Sequence, residues 1–539
     1  AYSKATWKRP QLVYVGGDDG MLHAFFAHVG AKTLNGTTYS GGEEAFAFIP
    51  NDMLQVIAKQ YAQGKQKLSV DRSDHIFGLA GSPKVKDICI GSTCDQSTGS
   101  DWHTILVMPE GPGGNKPFAL DISGVIDATT GLTPGNMTLR WSTALSSADV
   151  RWDQSLGEGR SVPGFYFAGY SGSRADNRVI FASGYPTETG SGYAKQGLVL
   201  VNADASNGTV KQTSDVSSLG AVTCTQKRTV LSDVSVARDY TALGTSQNLM
   251  AAFLADTWGN TFEYVPTASD STKVLTKLYS LGCGQPLYFA PALVQLDRVS
   301  KADVSAKHQI YLVQVTNSNQ DPDTEAVTAD YPPSQMVVTK LDGNVSPPVM
   351  VTAYNSLEST GQIILSLDPS ATASKRICIQ TTTSGTLNTF TDGYKKANQS
   401  CPDANGEPLP STARPVGTPT AVLRADGLGF QIITGWYDPA VRSNNCSSGN
   451  TFNYGKSYVT VHEFGADGTW YQLAGVAIDN AVLTGTAFIG TGLFVDGINA
   501  ASTPQSININ ETFSSAQQSS NSTGAERYSR TSWSEQMYY

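Results

Sequence analysis

With 539 residues, a net charge of −9 and only 15% charged side chains, the chain lacks the basic surface that broad nucleic-acid binding requires. The apolar region from Ala474 to Val495 is broken by Asp479, Asn480 and several glycines, short of the ~18 apolar residues of a membrane-spanning helix. The 40% hydrophobic content supports a sizeable core and 52 glycines imply many turns, so a large all-β fold is expected.

Tyr14-Val-Gly-Gly-Asp-Asp-Gly-Met-Leu-His-Ala-Phe25 is an apolar run, a turn and a second apolar run. Gly42-Glu-Glu-Ala-Phe-Ala-Phe-Ile-Pro50 adds a third run that ends at proline, the pattern of antiparallel strands in one small sheet. In such a turn aspartate caps backbone amides and glycine takes positive φ, so Asp18 and Asp19 read as structural, and His23 as a hydrogen-bonded strand residue. Asn51 to Gly64 opens with a capping Asn or Asp, spaces Met53, Leu54, Ile57 and Tyr61 at helical intervals, and closes on Gly64. That predicts a short helix packed outside the sheet.

Strand pairs with Gly or Asp turns are expected within Leu12 to Ala27, His103 to Asp121, Arg178 to Ala203, Leu249 to Val265, Gln309 to Leu341, Gln362 to Thr382 and Phe430 to Tyr471. These units, with no long βαβ pattern, fit a single β-propeller of about seven blades with long inter-strand insertions; two β-sandwiches are the alternative. Ala501 to Gly524, rich in Ser, Thr, Asn and Gln, predicts a loose extended excursion. Arg527-Tyr-Ser-Arg-Thr-Ser-Trp533 then restores aromatics and predicts a final strand that pairs with N-terminal residues and closes the ring.

Seven cysteines stand at 89, 94, 224, 283, 378, 401 and 446. Cys89 with Cys94, Cys224 with Cys283 and Cys378 with Cys401 are the candidate disulfides, with Cys446 left over, although sequence does not fix connectivity. No second Cys/His pair stands at the spacing that would make Cys89-x4-Cys94 half of a zinc site. Asp321, Asp323, Glu325 and Asp330 occupy positions one, three, five and ten of an acidic loop, but the sixth-position glycine and twelfth-position glutamate of a calcium hand are missing. The loop therefore reads as solvated, with calcium as the weaker alternative. No nucleophile elbow, His-Glu-x-x-His or Walker loop is present, and His462-Glu463 lacks a second histidine. No catalytic residue and no cofactor is assigned.

The opening motif resembles the start of the C-terminal β-propeller domain of PilY-type type IV pilus biogenesis and tip-adhesin proteins. The likeness continues in order through Asp101-Trp-His-Thr-Ile-Leu-Val107, Gly111 to Ile122, Val179 to Tyr185, Gly197 to Asp204 and Leu254 to Tyr264. It extends to Cys446-Ser-Ser-Gly with Ser457 to Val461, and to Arg530-Thr-Ser-Trp-Ser-Glu535. The family commonly carries an Asp/Asn-rich calcium loop before its Gly-Asp-x-x-Gly-Asn strand. Here the matching stretch, Leu231 to Leu249, retains only Asp233 and Asp239 with Arg238 beside them, so the calcium role does not carry over.

The resemblance implies a non-enzymatic pilus component acting in pilus assembly, in opposing retraction and in twitching motility. It further implies docking on minor pilins at the pilus tip and adhesion to host or abiotic surfaces through an N-terminal region absent from this chain. The expected location is the extracellular pilus tip or cell surface, reached through the periplasm. Residues 1–500 are expected to form the propeller, 501–524 the extended segment and 525–539 the closing strand. Two alternatives are a quinoprotein-dehydrogenase-like propeller, faintly suggested by Val201 to Thr209, and a carbohydrate-binding propeller using Trp436, Tyr437, Trp470 and Tyr471. The first lacks the tryptophan docking repeats and adjacent Cys-Cys pair that a quinone site would use. The second competes with the ordinary burial of aromatics in strands.

Overall fold

A computed structural model describes residues 10–65, 76–91, 101–143, 161–184, 199–217, 219, 224, 228–265, 274–296, 309–317, 332–380, 395–441 and 455–508, apart from short breaks within those ranges. Among the described residues seven sheets have three or more strands, and they follow one another along the chain. Sheet one is Leu12–Gly16, Leu22–Phe26 and Glu44–Phe48. Sheet two is Lys84–Cys89, Trp102–Met108, Phe118–Asp121 and Thr138–Ser142; sheet three is Gly164–Ser171, Arg174–Ala182, Val199–Asp204 and Val210–Asp215. Sheet four is Ser235–Arg238, Leu249–Ala255, Asn260–Val265 and Val274–Ser280.

Sheet five runs Ala292–Leu296, Gln309–Val315 and Gln335–Asp342, the last pairing with both Val349–Met350 and Gln362–Ser366. Sheet six is built on the meander Thr420–Leu423, Gly429–Asp438, Lys456–Gly465 and Trp470–Asp479, to which four short strands between Cys378 and Pro415 attach. Sheet seven is Ala481–Ile489, Gly492–Asn499 and Pro504–Asn508.

Successive sheets stack face to face, and the alternation of side chains along a strand explains how. In Trp102–Met108, Leu106 and Met108 pack with Leu22, Ala24 and Phe46 of sheet one, whereas Ile105 and Val107 pack with Phe165, Val179 and Phe181 of sheet three. In Arg174–Ala182, Ile180 and Ala182 turn to Ala252, Leu254, Phe262 and Tyr264 of sheet four. Ala251 and Phe253 there meet Ile310 and Leu312 of sheet five, while Tyr311 and Val313 meet Phe430, Ile432 and Trp436 of sheet six. Central strands buried on both faces are apolar over most of their length, as in Ile105 to Met108 and Val179 to Ala182, so they read as near-continuous apolar runs, with occasional buried polar residues such as Glu263 and His462. The first strands of sheets three to six also neighbour one another in sequence order. This is a β-propeller, its blades joined by separate apolar layers.

Two expectations need correction. Gln362 to Thr382 is not a blade: Gln362–Ser366 pairs with Gln335–Thr339 in sheet five, and Cys378–Gln380 joins sheet six. Short runs carry no record of which sheet they join. The seventh sheet is instead Ala481 to Asn508, and its strand Pro504–Asn508 lies in the segment read as a loose excursion. Arg527 to Trp533 lies outside the described residues.

Helix α1, Met53–Lys65, begins two residues later than expected, with Met53 N–H donating to Pro50 O at 3.1 Å. Its inner face is Met53, Val56, Ile57 and Gln60, whereas Leu54 and Tyr61 are exposed. The i, i+3, i+4, i+7 rule admits both faces, and the polar Gln60 conceals the correct one.

Candidate interaction site

The Gly-Gly-Asp-Asp-Gly turn of sheet one fixes a polar cluster. Gly17 N–H donates to Met21 O at 2.8 Å and Gly20 N–H to Gly17 O at 3.0 Å, with Gly20 at φ 84°. Asp19 Oδ1 accepts the Met21 N–H at 3.1 Å, and Asp18 Oδ1 accepts the Gly78 N–H at 3.2 Å. Gln60 of α1 donates to Asp18 O at 2.6 Å and to Ile76 O at 2.8 Å, so the helix braces the turn. His23 stands between two carboxylates, with Nδ1 2.6 Å from Glu44 Oε1 and Nε2 3.0 Å from Asp19 Oδ2. The Glu44 contact, with Asp19 behind it, raises the imidazole pKa against the opposing effect of burial. Beside this cluster, Val13 and Val15 are 46% and 44% exposed on the strand face they share with His23 and Phe25.

A second cluster lies on sheet two. His103 Nδ1 is 2.7 Å from Asp121 Oδ2, which also meets Arg140 Nη2 at 3.3 Å, and Asp121 Oδ1 accepts the Ser123 hydroxyl at 2.5 Å. Burial works to raise the Asp121 carboxyl, but His103 and Ser123 outweigh it and hold it at about 2. The order of contacts rules out a hydrolytic relay through these groups. In a relay the histidine stands between serine and aspartate; here the aspartate stands between serine and histidine.

Between blade two and α1 lies a carboxyl pair. Glu110 is 1% exposed, accepts the Lys116 N–H at 2.7 Å and contacts Asp52 just ahead of the helix. Burial, then the bond to Asp52, pushes the Glu110 carboxyl up to about 10. A proton retained on the Glu110 carboxyl relieves the contact between the two acids. Sequence reading missed both this pair and the His103 cluster, because their members are distant in the chain.

Cys224 is bonded to Cys283, with 5.5 Å between Cα atoms, and Cys378 to Cys401, with 5.7 Å. Cys89 is disulfide-bonded, while Cys94 and Cys446 lie outside the described residues. The calcium candidates Asp321, Asp323, Glu325 and Asp330 also lie outside them, as does Asp239. Asp233 is half-buried, with Oδ1 accepting the Val162 N–H at 2.7 Å. Among the described residues no three His, Cys, Asp or Glu side chains converge as metal ligands would. Trp436, Tyr437 and Trp470 are at most 3% exposed, and Trp436 Nε1 donates to Thr460 Oγ1 at 2.9 Å, so they offer sugars no platform. No helix is long and apolar enough to cross a membrane, among the described residues.

Fold and clusters together define a β-propeller whose described polar groups brace turns and join blades. A family model described as the PilY1 beta-propeller domain matches residues 1–303, more than half of the chain, and the chain belongs to that family. It is 31% identical over 162 residues to the type IV pilus biogenesis factor PilY1 of Pseudomonas aeruginosa strain PAO1, covering 30% of this chain and 10% of that protein. A PilY1 homolog of Xylella fastidiosa is 29% identical over 150 residues, 28% of this chain and 9% of that protein. The chain thus spans about a tenth of the length of these curated relatives. The crystal structure of the Pseudomonas aeruginosa PilY1 C-terminal domain aligns over 95% of this chain and 93% of that chain, with 17% identity and a TM-score of 0.47.

Proposed function

We propose that this propeller is the assembly part of a non-enzymatic type IV pilus component that binds minor pilins at the pilus tip, supports pilus assembly against retraction, and carries a surface-adhesive region N-terminal to it. The observation that carries the reading is the match of the PilY1 propeller family over residues 1–303. Physical features support it: blades that each pair their own strands suit a protein held under tension, and the disulfides suit an exported one. The reading places the protein outside the cell, reached through the periplasm, and gives it no catalytic role.

The test is a pull-down of residues 1–539 against the minor pilins of the same organism, with each pilin purified separately. Saturable binding of one or more supports the reading. No binding, together with turnover of an alcohol by quinone-loaded protein and a dye acceptor, would replace it with the dehydrogenase.

A further inference from the structure

The joint between blades four and five is only partly an apolar layer. Ala251, Phe253 and Val265 of sheet four meet Ile310, Leu312 and Leu341 of sheet five. The same two faces carry Glu263, paired with Phe253, and Thr339, paired with Leu312, together with Thr261, Tyr279 and Gln314. All five are buried. Most of them form a directed chain of hydrogen bonds. Gln362, half-buried on the outer edge of sheet five, donates through Nε2 to Thr339 Oγ1 at 3.0 Å. The Thr339 hydroxyl is bonded in turn to Tyr279, and the Tyr279 hydroxyl donates to Gln314 Oε1, which also accepts from Thr261 Oγ1 at 2.8 Å. Each group passes its proton inward, so the Gln314 amide turns its oxygen to the two hydroxyls and carries its Nε2 donors onward. There the chain stops: Gln314 is 1% exposed, and its Nε2 has no hydrogen-bond partner. Glu263, 3% exposed, stands two residues beyond Thr261 on the same face, about 6.6 Å along the strand. Its Oε1 is buried and likewise has no hydrogen-bond partner. Burial is the one cause acting on the Glu263 carboxyl, which it raises to about 7, so no neighbouring charge answers it.

We infer that the joint between blades four and five is a binding site for a single internal water, held between Gln314 Nε2 and Glu263 Oε1. The chemistry of the two orphaned atoms selects the ligand. One side of the site donates and the other accepts, so the occupant must accept and donate at once. A cation would face the amide protons, an anion would face the carboxyl, and an apolar group would answer neither. Two hydrogen bonds through one water span about 5.6 Å, comparable with the step from Thr261 to Glu263. The Thr261 oxygen, its proton given to Gln314, adds a further acceptor on the same face, which brings the partners to the two to four that a buried water takes. Oε1 accepts whether Glu263 is ionised or carries a proton on Oε2, so the site does not depend on the charge of the carboxyl. The bound water continues the chain, and Glu263 is thereby tied through Gln314, Tyr279 and Thr339 to Gln362 at the blade edge.

The experiment uses the full chain and counts long-lived internal waters by oxygen-17 relaxation dispersion of the solvent. Glu263→Met, Gln314→Met and the double variant are compared with the unmodified protein, since methionine keeps the length of each side chain and removes its hydrogen bonding. Each single variant is expected to lose one long-lived water, and the double variant also one, because both atoms hold the same molecule. Loss of two in the double variant would show each atom hydrated separately, and no loss in either single variant would show the side chains meeting directly; both results overturn the assignment. A crystal structure of the unmodified chain tests the site without relying on the folding of any variant. An ordered water within hydrogen-bond reach of Gln314 Nε2 and Glu263 Oε1 is expected, and a direct bond between them, or density for a metal ion with short oxygen contacts, refutes it.

Discussion

Glu110→Gln is expected to stabilise the protein at neutral pH while leaving it nearly unchanged in acid. The folded state holds the Glu110 carboxyl at about 10 against an ordinary value of 4.5, so between those values it keeps a proton that the unfolded chain releases. Stability from this group is therefore fully present below pH 4.5 and is lost as pH rises toward 10. Each unit costs up to about 1.4 kcal/mol, so the interval from 4.5 to 7 accumulates about 3 kcal/mol. Glutamine keeps the shape, donates to Asp52 through its amide, accepts from Lys116 N–H and releases no proton. The assay is urea unfolding of both proteins at intervals from pH 4 to 8. Asp233, raised to about 6, and Glu263, raised to about 7, both by burial, add slopes of the same sign that are common to both proteins, so the difference isolates Glu110. Parallel profiles, or a variant weaker at every pH, would refute the proton retained on Glu110.

Asp256→Ala leaves the Arg228 guanidinium buried without the carboxylate 2.6 Å from its Nε, and chemical denaturation should register a loss of about 3–5 kcal/mol. Arg228→Met leaves Asp256, 0% exposed, as the uncompensated charge instead, relieved only by the Trp258 and Asn260 N–H donors, and should cost a comparable amount. Replacing Cys224 and Cys283 by serine opens a loop closed across 59 positions, and the midpoint of urea unfolding should fall by the equivalent of about 4 kcal/mol. Calorimetric titration of chelator-treated protein with calcium should show no micromolar site that disappears in an Asp233→Ala, Asp239→Ala double variant. Asp233 already serves as acceptor for Val162, so loss of such a site would contradict that role.

The sequence disclosed what short-range chemistry determines. The turn at Asp18 and Asp19 needs only neighbouring residues, and its strands begin and end where glycine and proline place them. The start of α1 was legible to within two residues for the same reason, but its inward face was not, because a glutamine bonded to two carbonyls looks like a surface residue. Membership of Gln362–Ser366 in sheet five depends on register with a strand more than twenty residues earlier, which no local pattern records. The candidate clusters were hidden similarly: Asp52 and Glu110, or His103, Asp121 and Arg140, meet only because blades stack.

The sharing of each central strand between two neighbours divides the molecule's mutational freedom. Val179 and Phe181 answer to blade two, while Ile180 and Ala182, one residue away, answer to blade four. Adjacent positions in one strand should therefore drift almost independently, while positions more than seventy residues apart, such as Ile105 and Phe181, must change together. Grafting one blade into another propeller would transfer a sheet but only half of each of its two joints, so the unit that can be exchanged is the joint between blades.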